Sequence, residues 1–180
     1  MDETDGHGLM RRIDGYCERT GPELWAEPLN AVTNIAFILA GVMALRMARA
    51  EGQMRGDVVF LSGNAIVVGI GSFLFHTFAT VWAAIMDTTP ILVFILAYFA
   101  VAMRKYVGLS LLGCAAATAV LLVEFVIHAA AFRTLLYPIV GGSVSYFPAL
   151  LMLFVVGGWL AWKRHPSGLW VMGTGVVFAV

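Results

Sequence analysis

Long apolar stretches separated by short charged or polar punctuation dominate this chain, and the pattern predicts six membrane-crossing helices. The first runs from about Asn30 to Leu45, the second from about Val58 to Phe78, and the third from about Val81 to Met103. The fourth covers about Val107 to Ala131, the fifth about Gly142 to Trp162, and the sixth starts near Gly168. At a rise of ~1.5 Å per residue a span needs about 20 residues, and five of the segments approach that length. The sixth has 13 residues when the sequence stops at Val180, still apolar, which reads as an interrupted span and the chain as a fragment. The expected fold is therefore all-α. Residues 1–28 form a polar amino-terminal segment, and residues 29–180 form a polytopic transmembrane helix bundle whose last helix is incomplete.

Composition strengthens this reading. Hydrophobic residues make up 61% of the chain and charged residues 12%, against roughly half and a quarter in a soluble domain. A water-soluble fold of this size has no interior large enough to hide so much apolar surface, so lipid must cover it. Charge is concentrated at the start, where Asp2, Glu3, Asp5, Asp14, Glu18, Glu23 and Glu27 are offset only by Arg11, Arg12 and Arg19. A secretory signal peptide would begin with basic residues followed by an apolar run, so this acidic start is expected to remain on the mature protein, exposed to water. The net charge is zero, and nothing points to nucleic-acid binding. Cys17 and Cys114 do not make a disulfide framework.

Basic residues orient the bundle. Arg46, Arg49 and Arg55 lie between the first and second spans, Arg104 and Lys105 between the third and fourth, and Lys163 and Arg164 between the fifth and sixth. The alternate connections carry only Arg133. The positive-inside bias places the first group in the cytoplasm and the amino terminus outside. Compact loops rich in Arg, Ala and Gly suggest a bacterial inner membrane.

Ionisable side chains inside a span cost a few kcal/mol or more and are functional candidates for that reason. Four stand out: His76, Asp87, Glu124 and His128. Ser72 and His76 share one face of the second helix, one turn apart. Chain direction reverses through Thr77–Thr80, so Asp87, about two turns into the third helix, should return to the depth of His76. A Ser, His and Asp cluster is expected at the outer side. Asp87 could instead cap a helix begun by Pro90, although that would leave a short span. A lone histidine such as His76 is more often a packing residue than a metal ligand. Glu124 and His128, also one turn apart, could simply satisfy each other, and His165 in a basic loop reads as solvated. Ala65 and Gly69, one turn apart and followed by Gly71 and Ser72, are small residues suited to tight packing of the second helix. In the tail, Asp14, Glu18 and Glu27 supply hard oxygen ligands that, with backbone carbonyls, could hold calcium. By spacing alone, a solvated acidic segment leading into the first helix is the better reading.

Several of these pieces together resemble the alkaline ceramidase family, seven-helix membrane hydrolases related to the progestin and adiponectin receptors. They are Tyr16-Cys17-Glu18, Ala26-Glu27-Pro28-Leu29-Asn30 with Thr33-Asn34, Gly71-Ser72-Phe73-Leu74-Phe75-His76, and Asp87 eleven residues beyond His76. A weaker likeness follows at Gly142–Ala149. The resemblance implies a zinc ion held by three histidines and a water, with His76 as one ligand and with Ser72 and Asp87 at the water and the reacting group. It also implies a calcium site in the tail, which Asp14, Glu18 and Glu27 would serve, although Gly15 precedes the aromatic residue and Thr20 stands where the family often has Asn. The two other zinc histidines of the family belong to a His-x-x-x-His pair on the seventh helix, and this sequence has none.

The expected activity is zinc-dependent hydrolysis of ceramide or a similar N-acyl lipid to a fatty acid and a long-chain amine. With two zinc ligands absent, an inactive chain is also consistent with the sequence. The alternatives are a non-catalytic lipid-binding or receptor-like protein in the same pocket, and a proton-coupled transporter using Asp87, Glu124 and His128.

Overall fold

The computed structural model of the chain describes residues 8–13, 18–21, 23–135 and 147–179. Asp14, Cys17 and most of the Gly142–Ala149 likeness lie outside that set. The elements among the described residues are helical, and Arg12 and Thr80 form an isolated antiparallel β-bridge.

A 3-10 turn at Gly8–Met10 precedes α1 (Pro28–Thr33) and α2 (Ile35–Ala50), which follow each other through Asn34. Next come α3 (Gly56–Phe78), α4 (Val81–Ala102), a π-helical turn at Met103–Val107, α5 (Leu111–Leu135), α6 (Phe147–Trp162) and α7 (Ser167–Ala179). Four stretches are long and apolar enough to cross a membrane: Pro28–Ala50, Gly56–Phe78, Val81–Val107 and Leu111–His128. Large apolar side chains such as Phe60, Ile70, Leu112 and Val126 stand exposed along them, as expected where lipid is the solvent. The protein is a multi-pass membrane protein.

The observed boundaries correct two expectations and exclude one alternative. The first span begins at Pro28 and continues to Ala50, so Arg46 and Arg49 belong to its last turns rather than to a loop. Pro28 occupies the first helical position, where its missing N–H leaves no bond unmade. The fourth helix starts at Leu111, because the chain first winds through the π turn and then through Gly108, whose φ of 79° ends it. Asp87 is no cap: α4 already begins at Val81, and Pro90 lies inside the helix.

The chain divides into two compact units, Met1–Tyr98 and Phe99–Val180. In the first, α3 packs against α1 and α2 along glycines that leave no room for a side chain. A Cβ on Gly69 would lie 2.9 Å from the Asn34 carbonyl oxygen, and one on Gly41 would lie 2.5 Å from that of Ser62. On its other side Gly71 lies directly against the Met86 carbonyl of α4. In the second unit, α6 and α7 form a tight hairpin with Gly157 against Met172.

Candidate active site

Two breaks in regularity bring α3 and α4 together. Proline at position 90 has no N–H, so the Met86 carbonyl one turn earlier loses its helical donor. Gly71, without a Cβ, lets the α3 backbone come up to that carbonyl and to the Asp87 Cα beside it. Asn64 adds a cross-link two turns away, its Nδ2 donating to the Pro90 carbonyl at 2.9 Å. With the backbones this close, the short Ser72 side chain reaches across, and its Oγ–H donates to Asp87 Oδ1. Both residues are buried.

One turn further along α3, His76 is also buried, and its Nδ1 lies 2.6 Å from Oε2 of Glu27. The structure therefore brings together the predicted Ser72, His76 and Asp87 at one end of the α3–α4 hairpin. It adds Glu27, which enters as the residue just before α1 and is only 2% exposed.

The carboxylate of Glu27 is held on both oxygens. Oε1 accepts from Arg19 Nε at 2.5 Å while Oε2 faces the imidazole. The same guanidinium donates through Nη1 to the carbonyls of Gly21 and Glu23 at 3.4 and 3.2 Å, and through Nη2 to the His76 carbonyl at 3.3 Å. That last carbonyl belongs to the final turn of α3, where helical acceptors lack intrahelical donors and a cation is favoured. Glu18 is committed elsewhere: its two oxygens accept the backbone N–H groups of Leu29 and Asn30 at 2.8 and 3.0 Å, closing the exposed start of α1.

The tail is tied to the hairpin by its backbone as well. Ile13 N–H donates to the Ala79 carbonyl at 2.8 Å, and Val81 N–H donates to the Arg11 carbonyl at 3.0 Å. Ala79 ends α3 in the left-handed region with φ of 46°. The tail thus straps the reversing turn, an arrangement that no periodicity in the sequence announces.

The other candidates lie in the second unit. Glu124 and His128 pair with each other at 3.3 Å, and the His128 ring stacks on Phe147 with centroids 5.1 Å apart. His165 is half-buried rather than solvated. Its ring meets Tyr106 edge-on at 5.2 Å, and its Nδ1 accepts the Ser167 N–H.

Among the described residues no group of three or more His, Cys, Asp or Glu side chains converges as a metal cage. The His76 corner nevertheless has the donor chemistry of a zinc ligand. Metal-ligating histidines almost always engage a carboxylate or carbonyl through the second ring nitrogen, which fixes tautomer and ring orientation. Glu27 stands in that position at Nδ1, 2.6 Å away. The tail carboxylates fit calcium less well, since both oxygens of Glu18 and of Glu27 already accept from donors of the chain itself.

A family model described as Ceramidase matches residues 15–156. No curated protein and no solved structure matches the chain.

Proposed function

The chain belongs to the ceramidase family, and from that premise we propose that it is a zinc-dependent membrane amidase. Its substrate is ceramide or a similar N-acyl lipid, cleaved to a fatty acid and a long-chain amine. Family membership supports amide hydrolysis of this general kind and a lipid substrate; the metal and the residue roles are our reading. The observation that carries it is that His76, its imidazole held by Glu27, lies one turn along α3 from Ser72, which holds the Asp87 carboxylate of α4.

In this reading His76 binds zinc through Nε2, with Glu27 and Arg19 behind it. Two further histidines are required, and the family resemblance supplies them from a His-x-x-x-His pair that these residues do not contain. Bound zinc would polarise the amide carbonyl and lower the pKa of a water to about 7.

The remaining work falls to the chain. Asp87, buried beside His76, takes the proton of the attacking water and later returns it to the leaving amine. Ser72 donates to Asp87 while that carboxylate is charged. Once Asp87 is protonated it becomes a donor itself, the hydrogen bond reverses, and the Ser72 O–H is released to the developing oxyanion. The site lies where the positive-inside bias puts the outer leaflet, so an N-acyl lipid can reach it sideways from the bilayer.

The test uses protein that also carries the two further histidines, purified in detergent, with fatty-acid release from ceramide as the readout. Asp87→Asn should lower turnover by about 10²–10⁴-fold with bound zinc unchanged, and His76→Ala should remove both zinc and activity. A His76→Ala variant that keeps both would refute the assignment.

A further inference from the structure

We propose that the guanidinium of Arg19 is the resident cation at the junction of tail and hairpin, filling an oxygen cage that would otherwise require calcium. Arg19 is then a positioning residue. It holds Glu27, and Glu27 holds the Nδ1 of His76, so the zinc-binding imidazole is aligned without any divalent ion in the tail. For its catalytic consequence this rests on the reading of His76 given above.

The geometry is that of a coordinated cation. One carboxylate oxygen and three backbone carbonyls, from Gly21, Glu23 and His76, surround the guanidinium, and all three of its nitrogens donate. The Arg19 side chain is 5% exposed. A buried guanidinium is stable only when its donors are met by charge and carbonyls together, and here they are. A calcium ion would need 6–8 oxygens at about 2.3–2.6 Å. The same four acceptors could begin such a shell, but not while a guanidinium lies among them, because one carboxylate would then face three positive charges.

Nor is the second tail carboxylate available at this point. Glu18 spends both oxygens on the amides of Leu29 and Asn30. Two of the three tail acids with hard oxygens suited to calcium are therefore satisfied by the chain itself, one of them by a cation of matching role. The cage admits a single positive group, and the sequence supplies it eight residues before Glu27.

Thermal unfolding of the purified chain in detergent tests this. The buffer is stripped of divalent ions on a resin, supplied with fixed micromolar zinc, and titrated with calcium chloride to millimolar levels. Wild type should show no calcium-dependent change in unfolding temperature. Arg19→Ala, which strips Oε1 of the buried Glu27 of its donor, should unfold several degrees lower and recover as calcium enters the vacated cage. Arg19→Lys, which keeps a positive group, should stay close to wild type and insensitive to calcium.

Two results would overturn the proposal: a saturable calcium-dependent rise in wild type that Arg19→Lys retains, or a folded Arg19→Ala that calcium does not restabilise. Should Arg19→Ala fail to fold, the wild-type and Arg19→Lys titrations decide alone. None of these readouts uses amide hydrolysis. A chain that cleaves no ceramide can still pass, and an active one can still fail.

Discussion

A carboxylate as deeply buried as Glu27 persists in charged form only where both oxygens meet donors or positive charge, because an unpaired charge in a dry environment costs several kcal/mol. Here Arg19 and His76 supply the two sides. That arrangement separates two kinds of damage. Glu27→Gln keeps the shape but removes the charge that orients the imidazole, and losing such a support typically weakens metal binding by about 10–100-fold. Chelator competition should show this loss of zinc affinity. Ser72→Ala should leave zinc affinity alone and lower turnover, since it strips Asp87 of a donor worth about 1.5–3 kcal/mol and removes the oxyanion hydroxyl. Equal effects of the two variants on zinc would erase the distinction. Ser72, His76 and Asp87 were legible in the sequence because helical spacing and one reversing turn bring them to the same depth. Glu27 against His76 was not. The two are 49 residues apart, and by spacing Glu27 read as part of a solvated acidic segment, with Arg19 as no more than a balancing charge. The available hint was an acid directly before a proline at the start of an apolar span, where solvation is poor.

At the level of elements, the site depends on how closely two helices approach, and glycines set that distance. Gly71 meets the Met86 backbone directly, whereas Gly63 on the same helix has open space around its Cβ position. Gly71→Ala must therefore push α3 and α4 apart, at a cost of about 1–3 kcal/mol for overpacking, and draw Ser72 away from Asp87. Gly63→Ala meets nothing and should stabilise α3 by roughly 0.5–1 kcal/mol through backbone entropy alone. Thermal unfolding and ceramide turnover measured on the pair should diverge in sign, with turnover falling for Gly71→Ala only. If both alanines behave alike, close approach is not what aligns the site. The small residues of α3 and the four long apolar stretches were visible as composition and periodicity. The helix ends were less so. Arg46 and Arg49 extend the first span because long basic side chains can lie along apolar surface while their heads reach water, and a π turn between Met103 and Val107 delays the next helix. Neither leaves a period in the sequence.

For the molecule as a whole, the decisive question is which side of the membrane the site faces. Within the first unit α3 runs from Gly56, just after Arg55, to Phe78, beside His76 and the strapped turn. Its 23 residues at ~1.5 Å each cover about 34 Å, close to the ~30 Å hydrocarbon core, so the two ends belong to opposite surfaces. The basic cluster of Arg46, Arg49 and Arg55 marks one end, and the tail fixes the other, because residues 11–13 pair with the turn at 79–81. Positive-inside bias then predicts the tail, Glu27 and His76 outside together, and no topology separates them without breaking the strap. Single cysteines introduced into a Cys17→Ser, Cys114→Ser background check this in intact cells. Leu9→Cys, on an exposed residue of the tail, should react with a membrane-impermeant maleimide directly. Gln53→Cys, in the exposed connection between α2 and α3, should react only after permeabilisation. Reversed labelling would move the site to the cytoplasmic leaflet and require the lipid to be presented from within. Labelling of both positions on the same side would mean that α3 does not cross the membrane, and the depth match between His76 and Asp87 would then need another cause.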